Sequence, residues 1–154
     1  MRRKTRGLLA ALLGVVLALV AVLGVGTTAY AETTTWSESF TTEGGTIEGG
    51  VTLTADVTLT IPEGVTLTVN GGGGYGFGID TRGKTLTVTG GGTLIVNGSK
   101  VGGVPVGTGI YGYGCVTVDG ASIEVNGAQG KDNGESGARY GGDGIAGSLT
   151  IISG

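Results

Sequence analysis

The sequence contains no histidine and only one cysteine, Cys115, in 154 residues. Without histidine, the chain cannot form the usual Ser/His and Cys/His nucleophile pairs or a metal site with imidazole ligands. A single cysteine cannot form a disulfide within the chain, so packing and backbone hydrogen bonds must stabilise the fold. Because Cys115 begins an alternating β-type run, we expect a buried, unreactive thiol, with a reactive or intermolecular thiol as the alternative.

Aromatic residues are also scarce, at 5% of the chain, whereas glycine contributes 36 residues. Such a composition leaves little material for an ordinary globular core. Disorder is the obvious alternative for a glycine-rich chain, but disordered segments contain few β-branched residues. Here Val, Ile and Thr recur in short, regular blocks, such as VTLT at residues 51–54 and 57–60. The composition therefore favours a repeat architecture of short β-strands.

Positive charge is scarce after residue 31. The first 31 residues take four of the nine basic residues and none of the twelve acidic ones, which leaves a formal charge of −7 on residues 32–154. The five remaining basic residues are scattered, whereas a protein that binds nucleic acid needs a basic stripe to neutralise phosphates. An acidic surface is not attracted to anionic lipid either. We therefore expect no nucleic-acid partner and no electrostatic binding to a membrane surface.

The N-terminus has the layout of an export signal. Four basic side chains within residues 1–6 precede an uninterrupted apolar run over residues 7–26, as in the n-region and h-region of a secretory signal peptide. The sequence AYA at residues 29–31 supplies the small residues needed for cleavage after Ala31. The run is also long enough to cross a bilayer, so the alternative is an uncleaved membrane anchor. In both cases residues 32–154 lie outside the cytoplasm.

A pair of sequence elements recurs along the chain. A Gly-x-Gly-Ile turn is followed by a short alternating strand, and the isoleucines of the three copies are 31 and 35 residues apart. The copies are GFGI and LTV at residues 76–79 and 86–88, GTGI and VTV at 107–110 and 116–118, and GDGI and LTI at 142–145 and 149–151. A second strand follows in two units, as TLIVNG at 93–98 and SIEVNG at 122–127. Each unit therefore contains about three short strands.

Self-similarity at a period of about 20–50 residues is typical of solenoids. In TLTV at residues 85–88, the alternation sends Leu86 and Val88 inward and the threonines outward. Asn-Gly pairs at residues 97–98 and 126–127 predict sharp turns, often with positive φ. We therefore predict an all-β fold, a right-handed parallel β-helix (solenoid) with about three short strands per coil, preceded by a signal or anchor helix. An antiparallel sandwich explains the strand lengths and turns but not the period.

Three segments are expected: a signal peptide or N-terminal anchor over residues 1–31, a linker and cap over 32–45, and β-helix repeats over 46–154. Trp36 and Phe40 are predicted to close the end of the apolar column, and the alternative is a pair that stacks on a sugar. The last strand runs to Gly154 without a capping segment, which predicts a truncated or uncapped array.

The Gly-x-Gly-Ile, Leu-Thr-Val and Asn-Gly repeats resemble those of bacterial cell-surface parallel β-helix proteins, including a family described as carbohydrate-binding domain-containing. The segment VTLTADVTLTIPEGVTLTVN at residues 51–70 is similar to the first segment of many such proteins, and the resemblance covers roughly residues 45–154. It implies a secreted or cell-surface bacterial protein that binds acidic or cellulosic polysaccharide, sometimes with calcium. No site motif of the family matches residue by residue.

The most polar loop, residues 127–143, is the longest departure from the minimal repeat. Loops on a rigid scaffold often carry binding sites. Carboxylate and amide oxygens suit calcium, and the candidate ligands in this loop are Asp132, Asn133, Glu135 and Asp143. Their spacing matches neither an EF-hand nor the calcium-binding nonapeptide repeat. The alternative is a solvated surface loop without a metal.

Five aromatic residues lie among glycines, where few neighbours can bury them: Tyr75, Phe77, Tyr111, Tyr113 and Tyr140. Exposed aromatic faces could stack on sugar rings, so these are the candidate glycan-binding residues. The alternative is that they cover the ends of the apolar column. The aromatic pairs sit at different points of the repeat, so the sequence does not predict a regular ladder of rings.

The sequence does not predict a catalytic residue. Glycosidases need two carboxylates about 5–10 Å apart, and nothing in the spacing of the acidic residues requires them to converge. We therefore hypothesise an extracellular module that binds polysaccharide or cell-surface glycan, or that acts in surface attachment. The alternatives are a structural stalk or spacer of a larger surface protein and, third, a polysaccharide lyase or hydrolase. No cofactor is expected other than calcium.

Overall fold

The computed structural model describes residues 31–72, 75–99, 107–128 and 142–153, and every regular element in them is a β-strand. In chain order the strands are β1 (Thr34–Trp36), β2 (Phe40–Thr41), β3 (Gly45–Gly49), β4 (Val51–Leu53), β5 (Val57–Thr60), β6 (Thr66–Gly71), β7 (Ile79–Asp80), β8 (Leu86–Thr89), β9 (Thr93–Asn97), β10 (Ile110–Asp119), β11 (Ser122–Asn126) and β12 (Ile145–Ser153). The prediction of an all-β fold is confirmed over this part of the chain.

The strands pair in three ladders, and every pairing between named strands is parallel. The first ladder contains β1, β4, β7, β10 and β12, the second β2, β5, β8, β10 and β12, and the third β3, β6, β9 and β11. Because β10 and β12 are long enough to belong to two ladders, the first two form one eight-stranded sheet. The third ladder is a separate four-stranded sheet.

The chain visits the ladders in the same order in each successive unit. Strands β1 to β3 form one unit, β4 to β6 the next, and β7 to β9 the third, while β10 and β11 cover all three ladders in the fourth. Parallel strands in register require a connection that returns the chain to the same end of the sheet. Here each return is made by the other ladders of the same unit.

The register confirms that the predicted repeats lie on one another. Aligned residues in the three ladders are Ile79, Ile110 and Ile145 in the first, Leu86, Val116 and Leu149 in the second, and Leu94 and Ile123 in the third. Each sequence repeat is therefore one structural unit, as its spacing predicts.

Alternation along each strand builds the hydrophobic core. In β8, Leu86 and Val88 are fully buried, while Thr87 between them is partly exposed. The same pattern recurs in the other ladders and produces one aliphatic cluster, which includes Leu53, Leu59, Ile61, Ile79, Leu94, Val96 and Ile110. Burial of this column is the main apolar contribution to stability that the structure offers.

Trp36 and Phe40 contribute aromatic side chains to the same cluster. Trp36 is 6% exposed, and Phe40 packs against it edge-on with the ring centroids 5.1 Å apart. The expected packing of the two rings on the apolar column is confirmed. The alternative, in which Trp36 stacks on a sugar, is wrong because burial leaves its ring no open face.

Two local predictions were wrong. Cys115 is partly exposed rather than buried, because the alternation in β10 turns its neighbour Val116 inward instead. The Asn-Gly pairs at residues 97–98 and 126–127 continue directly from β9 and β11, and neither glycine adopts a positive φ. By contrast, the Asp-Gly pair at residues 119–120 does form such a turn, since Gly120 has a φ of 78°.

The predicted signal peptide or anchor lies outside the described residues, apart from Ala31. Its helix, its cleavage site and its possible role in a membrane therefore stay predictions. Within the ranges that the structure describes, no helix has the length and hydrophobicity needed to cross a bilayer.

Candidate functional site

An outward-facing row on the first ladder contains Thr52, Asp80, Tyr111 and Ala146, which are in register from unit to unit. Alternate residues of a strand face opposite sides of the sheet. The residue before each of these four faces the core, so these four side chains face outward. Tyr111 is the largest member of the row and is 36% exposed. The row therefore places one aromatic ring on the side of the molecule, between polar or small neighbours.

Two further rings stack on Tyr111. The rings of Phe77 and Tyr111 are nearly parallel, with centroids 4.1 Å apart and 12° between planes. Tyr75 stacks on Phe77 in the same way, at 5.6 Å and 14°. Among the described residues Tyr75 and Tyr111 have no ring contact with each other, so Phe77 lies between them. We refer to Tyr75, Phe77 and Tyr111 as the aromatic stack.

The aromatic stack offers its two ends to a ligand. Phe77 already stacks on two neighbouring rings, so Tyr75 and Tyr111 are the better platforms for a sugar. Tyr75 is 71% exposed, and Tyr75 and Tyr111 each have one ring face directed away from Phe77. A sugar ring therefore has two places to pack, one beside Tyr75 and one beside Tyr111.

A cavity of about 250 Å³ adjoins the Tyr75 end, and its lining includes Phe77, Thr52 and the charged pair Asp80 and Arg82. The backbone N–H of Arg82 donates to Oδ1 of Asp80 at 3.1 Å, and Nε donates to Oδ2 at 3.4 Å. Arg82 has a φ of 48°, a left-handed conformation that side chains rarely adopt. The backbone contact with Asp80 favours this turn conformation beside the cavity, and the exposed Nε contact adds little.

A second cavity, of about 450 Å³, adjoins the Tyr111 end. Its lining consists of Tyr111, Gly112, Tyr113, Ala146, Gly147 and Ser148, none of which is charged. Tyr113 is 96% exposed and is the most exposed of the large hydrophobic side chains in the described residues. The two cavities therefore differ in charge and lie at opposite ends of the aromatic stack.

The alternative role for the tyrosines, covering the ends of the apolar column, is wrong for Tyr111 and Tyr113. Both belong to β10, which has β7 and β8 on one side and β12 on the other. They therefore lie on the side of the molecule, and aliphatic residues fill the column beneath them. Tyr140, the fifth aromatic candidate, lies outside the described residues.

The predicted calcium ligands cannot be compared with one another. Asp132, Asn133 and Glu135 lie outside the described residues, and only Asp143 is described. Asp143 is exposed, and its backbone carbonyl accepts a hydrogen bond from the N–H of Gly109 at 2.9 Å. The described ranges contain no group of three His, Cys, Asp or Glu side chains that could hold a metal ion. Calcium binding by the 127–143 loop stays a prediction.

Sequence reasoning found the aromatic residues but missed how they combine. It treated the pair Tyr75 and Phe77 and the pair Tyr111 and Tyr113 as separate points of the repeat, whereas the fold stacks Phe77 on Tyr111. It also missed Arg82 and its contact with Asp80. The register of 31 residues between Ile79 and Ile110 was the available signal, since it places Asp80 beside Tyr111.

No protein family, no curated protein and no solved structure matches this chain. Its function therefore has to be inferred from its residues and their geometry.

Proposed function

We propose that this chain is an extracellular module that binds polysaccharide or cell-surface glycan, or acts in surface attachment, and that its strands form a right-handed parallel β-helix. The repeated visit to three parallel ladders in one order supports a helical path. Right-handedness is supported by the strong preference of parallel β connections for that hand. The stacked units from β1 to β12 then form one rod with the aromatic stack on its side.

The aromatic stack is the observation that carries the binding proposal. Stacking fixes the rings of Tyr75 and Tyr111 against Phe77 before any ligand arrives, and a preorganised site loses less entropy on binding. The C–H faces of pyranose rings are apolar and pack well on aromatic faces. A linear glycan lying along the side of the rod would reach both ends of the stack.

The polar residues around the stack suit a ligand rich in hydroxyl groups. Thr52, Asp80 and Arg82 line the cavity beside Tyr75, and carboxylate and guanidinium groups hydrogen-bond to hydroxyls as acceptor and donor respectively. Binding sites commonly combine an apolar platform with a few polar groups of this kind. These residues would orient a sugar that the ring of Tyr75 holds.

The proposed location follows from the N-terminal segment. We infer that residues 1–31 export the chain, either as a cleaved signal peptide or as an anchor over residues 7–26. A bacterial surface or the medium is then where a glycan would be met. Calcium held by Asp132, Asn133, Glu135 and Asp143 is a further part of this proposal, and it has its own arm in the experiment.

The test is retention on polysaccharide. The chain, purified in the form that the cells export, is mixed with a panel of insoluble and soluble polysaccharides, with calcium and with a chelator. We expect retention on at least one member of the panel, weakened by Tyr75→Ala and by Tyr111→Ala. Ile152→Ala is a matched control, because Ile152 is 65% exposed but lies in the second ladder, away from the stack. A folded sample that no polysaccharide retains would overturn the proposal.

A structural spacer is the second candidate, and the continuity of the three ladders favours it. Every unit pairs with the one before it through backbone hydrogen bonds, which suits a stiff rod. A folded chain with no affinity for any polysaccharide would support this role. Assaying the same panel for released reducing or unsaturated sugar ends tests the third candidate, a lyase or hydrolase.

A further inference from the structure

We propose that Tyr111 and Tyr113 form a subsite for one uncharged pyranose ring, built on a β-bulge in the middle of β10. The inference rests on the proposed function and makes it more specific. It assigns the binding of a neutral sugar to the cavity at the Tyr111 end of the aromatic stack, whose lining carries no charge.

The bulge is visible in the pairing of β10 with β12. Tyr111 pairs with Ala146 and Cys115 pairs with Ser148, so the three residues between Tyr111 and Cys115 lie opposite Gly147 alone. Bulges bend a strand and re-aim a side chain, and they are frequent beside functional sites. Tyr113, at the centre of this bulge, is 96% exposed.

The residues on either side of Tyr113 can only be glycine. Gly112 has a φ of 126°, which strains any other residue, and a side chain there would meet the hydroxyl of Thr81. A side chain on Gly114 would meet the backbone carbonyl of Lys84. Both glycines are buried against the unit below. The bulge therefore carries a single side chain, and the fold directs that tyrosine into solvent.

The packing beneath the bulge carries an energetic penalty. Thr81 is 1% exposed, and its Oγ1 has no hydrogen-bond partner in the described part of the protein. An unpaired buried hydroxyl of this kind destabilises a fold by about 1–3 kcal/mol. Such groups are rare in native structures and often accompany a functional constraint. Close packing of Gly112 and Gly114 on Thr81 is what positions Tyr113, so we assign the penalty to the subsite.

The chemistry of the lining selects an uncharged sugar. The cavity beside the two tyrosines has about 450 Å³ of space, and its lining, which includes Ala146, Gly147 and Ser148, has no charge that could pair with a carboxylate or a sulfate. The tyrosine and serine hydroxyls can hydrogen-bond to sugar hydroxyls. The charged pair of Asp80 and Arg82 belongs to the cavity beside Tyr75.

The experiment uses short sugars, which can occupy only one end of the stack. The whole chain is labelled with 3-fluorotyrosine, its fluorine resonances are assigned with single Tyr→Phe variants, and cellobiose, mannobiose, maltose and digalacturonate are titrated separately. We expect at least one neutral disaccharide to shift the resonances of Tyr113 and Tyr111 and to leave Tyr75 unchanged. Tyr113→Ala should weaken this binding at least about tenfold. Ile152→Ala, at an exposed position away from the aromatic stack, is the control and should change it less than about twofold.

The outcomes separate the subsite from the proposed function. A neutral disaccharide that binds Tyr113→Ala as tightly as the parent overturns the subsite while glycan binding stands, and so does stronger binding of digalacturonate at Tyr113. A chain that is retained on polysaccharide but shows no shift at Tyr113 with any of the four disaccharides also overturns the subsite alone. Absence of any shift, together with no retention on polysaccharide, overturns both. Both substituted side chains are mostly exposed, so loss of fold does not confuse the comparison.

Discussion

The side-chain Nδ2 of Asn97 donates a hydrogen bond to Oδ1 of Asn70, 2.9 Å away, although the two residues are 27 positions apart in the chain. Asn126 donates in the same way to Asn97 at 3.0 Å, and Asn70 donates to Oε1 of Glu48 at 2.7 Å. Each of these four residues occupies the same position of the third ladder in successive units. We refer to the chain of amide contacts as the asparagine ladder, and it fixes the register of one unit on the next.

Asn97→Ala should destabilise the protein by about 1–3 kcal/mol, because the substitution leaves Oδ1 of Asn70 without a donor and Nδ2 of Asn126 without this acceptor. Asn97→Asp should also destabilise, since a carboxylate can accept from Asn126 but cannot donate to Asn70. The free energy of unfolding from urea titration gives the measurement. Equal stability of Asn97→Ala and the parent would mean that the ladder contributes nothing.

Asn126→Ala is the matched control within the asparagine ladder. Asn126 is exposed and has an asparagine neighbour on one side only among the described residues. Water can replace its contact with Asn97, so we expect a smaller loss, on the order of 0.5–1 kcal/mol. If Asn126→Ala loses as much unfolding free energy as Asn97→Ala, the stability contributed by an asparagine does not depend on whether it lies inside or at the end of the ladder.

Leu94→Ala should destabilise by about 2–5 kcal/mol, because Leu94 is fully buried in β9 and its removal leaves a cavity in the apolar column. Ile95, the next residue of the same strand, faces the other way and is partly exposed. Ile95→Ala should therefore change the stability by no more than about 1 kcal/mol. Urea titration of both variants measures the difference, and similar losses would contradict the assignment of the two faces.

The repeat itself could be predicted from sequence. The spacing of the isoleucines in the Gly-x-Gly-Ile turns matches the register of Ile79, Ile110 and Ile145 residue for residue. Period-2 alternation also predicted which side chains are buried, as in Leu86 and Val88. The repeat spacing and the alternation are both present in the sequence itself, so they predict the register and the buried side chains without knowledge of how the units are oriented.

The contacts between units could not be predicted in the same way. Asn97 lies just before a glycine, a pattern that predicts a turn. Its hydrogen bond to Asn70 in the neighbouring unit depends on the exact register between units, which this local pattern does not contain. Phe77 stacks on Tyr111 although the two residues occupy different positions of their repeats. The number of residues between the first and second ladders differs from unit to unit, with four between Thr52 and Val57, five between Asp80 and Leu86 and two between Ala146 and Leu149, so the repeat does not predict the bulge around Tyr113.

Arg82→Gly should be more stable than Arg82→Ala by about 1 kcal/mol, because Arg82 has a φ of 48° and only glycine adopts that conformation without strain. Both variants lose the Nε contact with Asp80, which is exposed and worth little.

Gly83→Ala tests the same principle in reverse. Gly83 has a φ of 78° and open space around its Cα, so its loss of stability would come from the backbone alone. If Arg82→Gly and Arg82→Ala are equally stable, residue 82 does not have the left-handed backbone conformation that its φ of 48° indicates.

Thr81→Val should stabilise the protein by about 1 kcal/mol, because it replaces with a methyl group of similar size a buried hydroxyl that has no partner among the residues the structure describes. Thr42→Val is the matched control: Thr42 is 9% exposed, but its Oγ1 accepts a hydrogen bond from the N–H of Gly44 at 3.0 Å. That substitution should destabilise by about 1 kcal/mol, since it leaves the N–H unpaired. Thermal and urea unfolding of the two variants would therefore move in opposite directions. If Thr81→Val destabilises as much as Thr42→Val, the hydroxyl under the bulge has a partner such as a buried water molecule, and the penalty assigned to the Tyr113 subsite disappears.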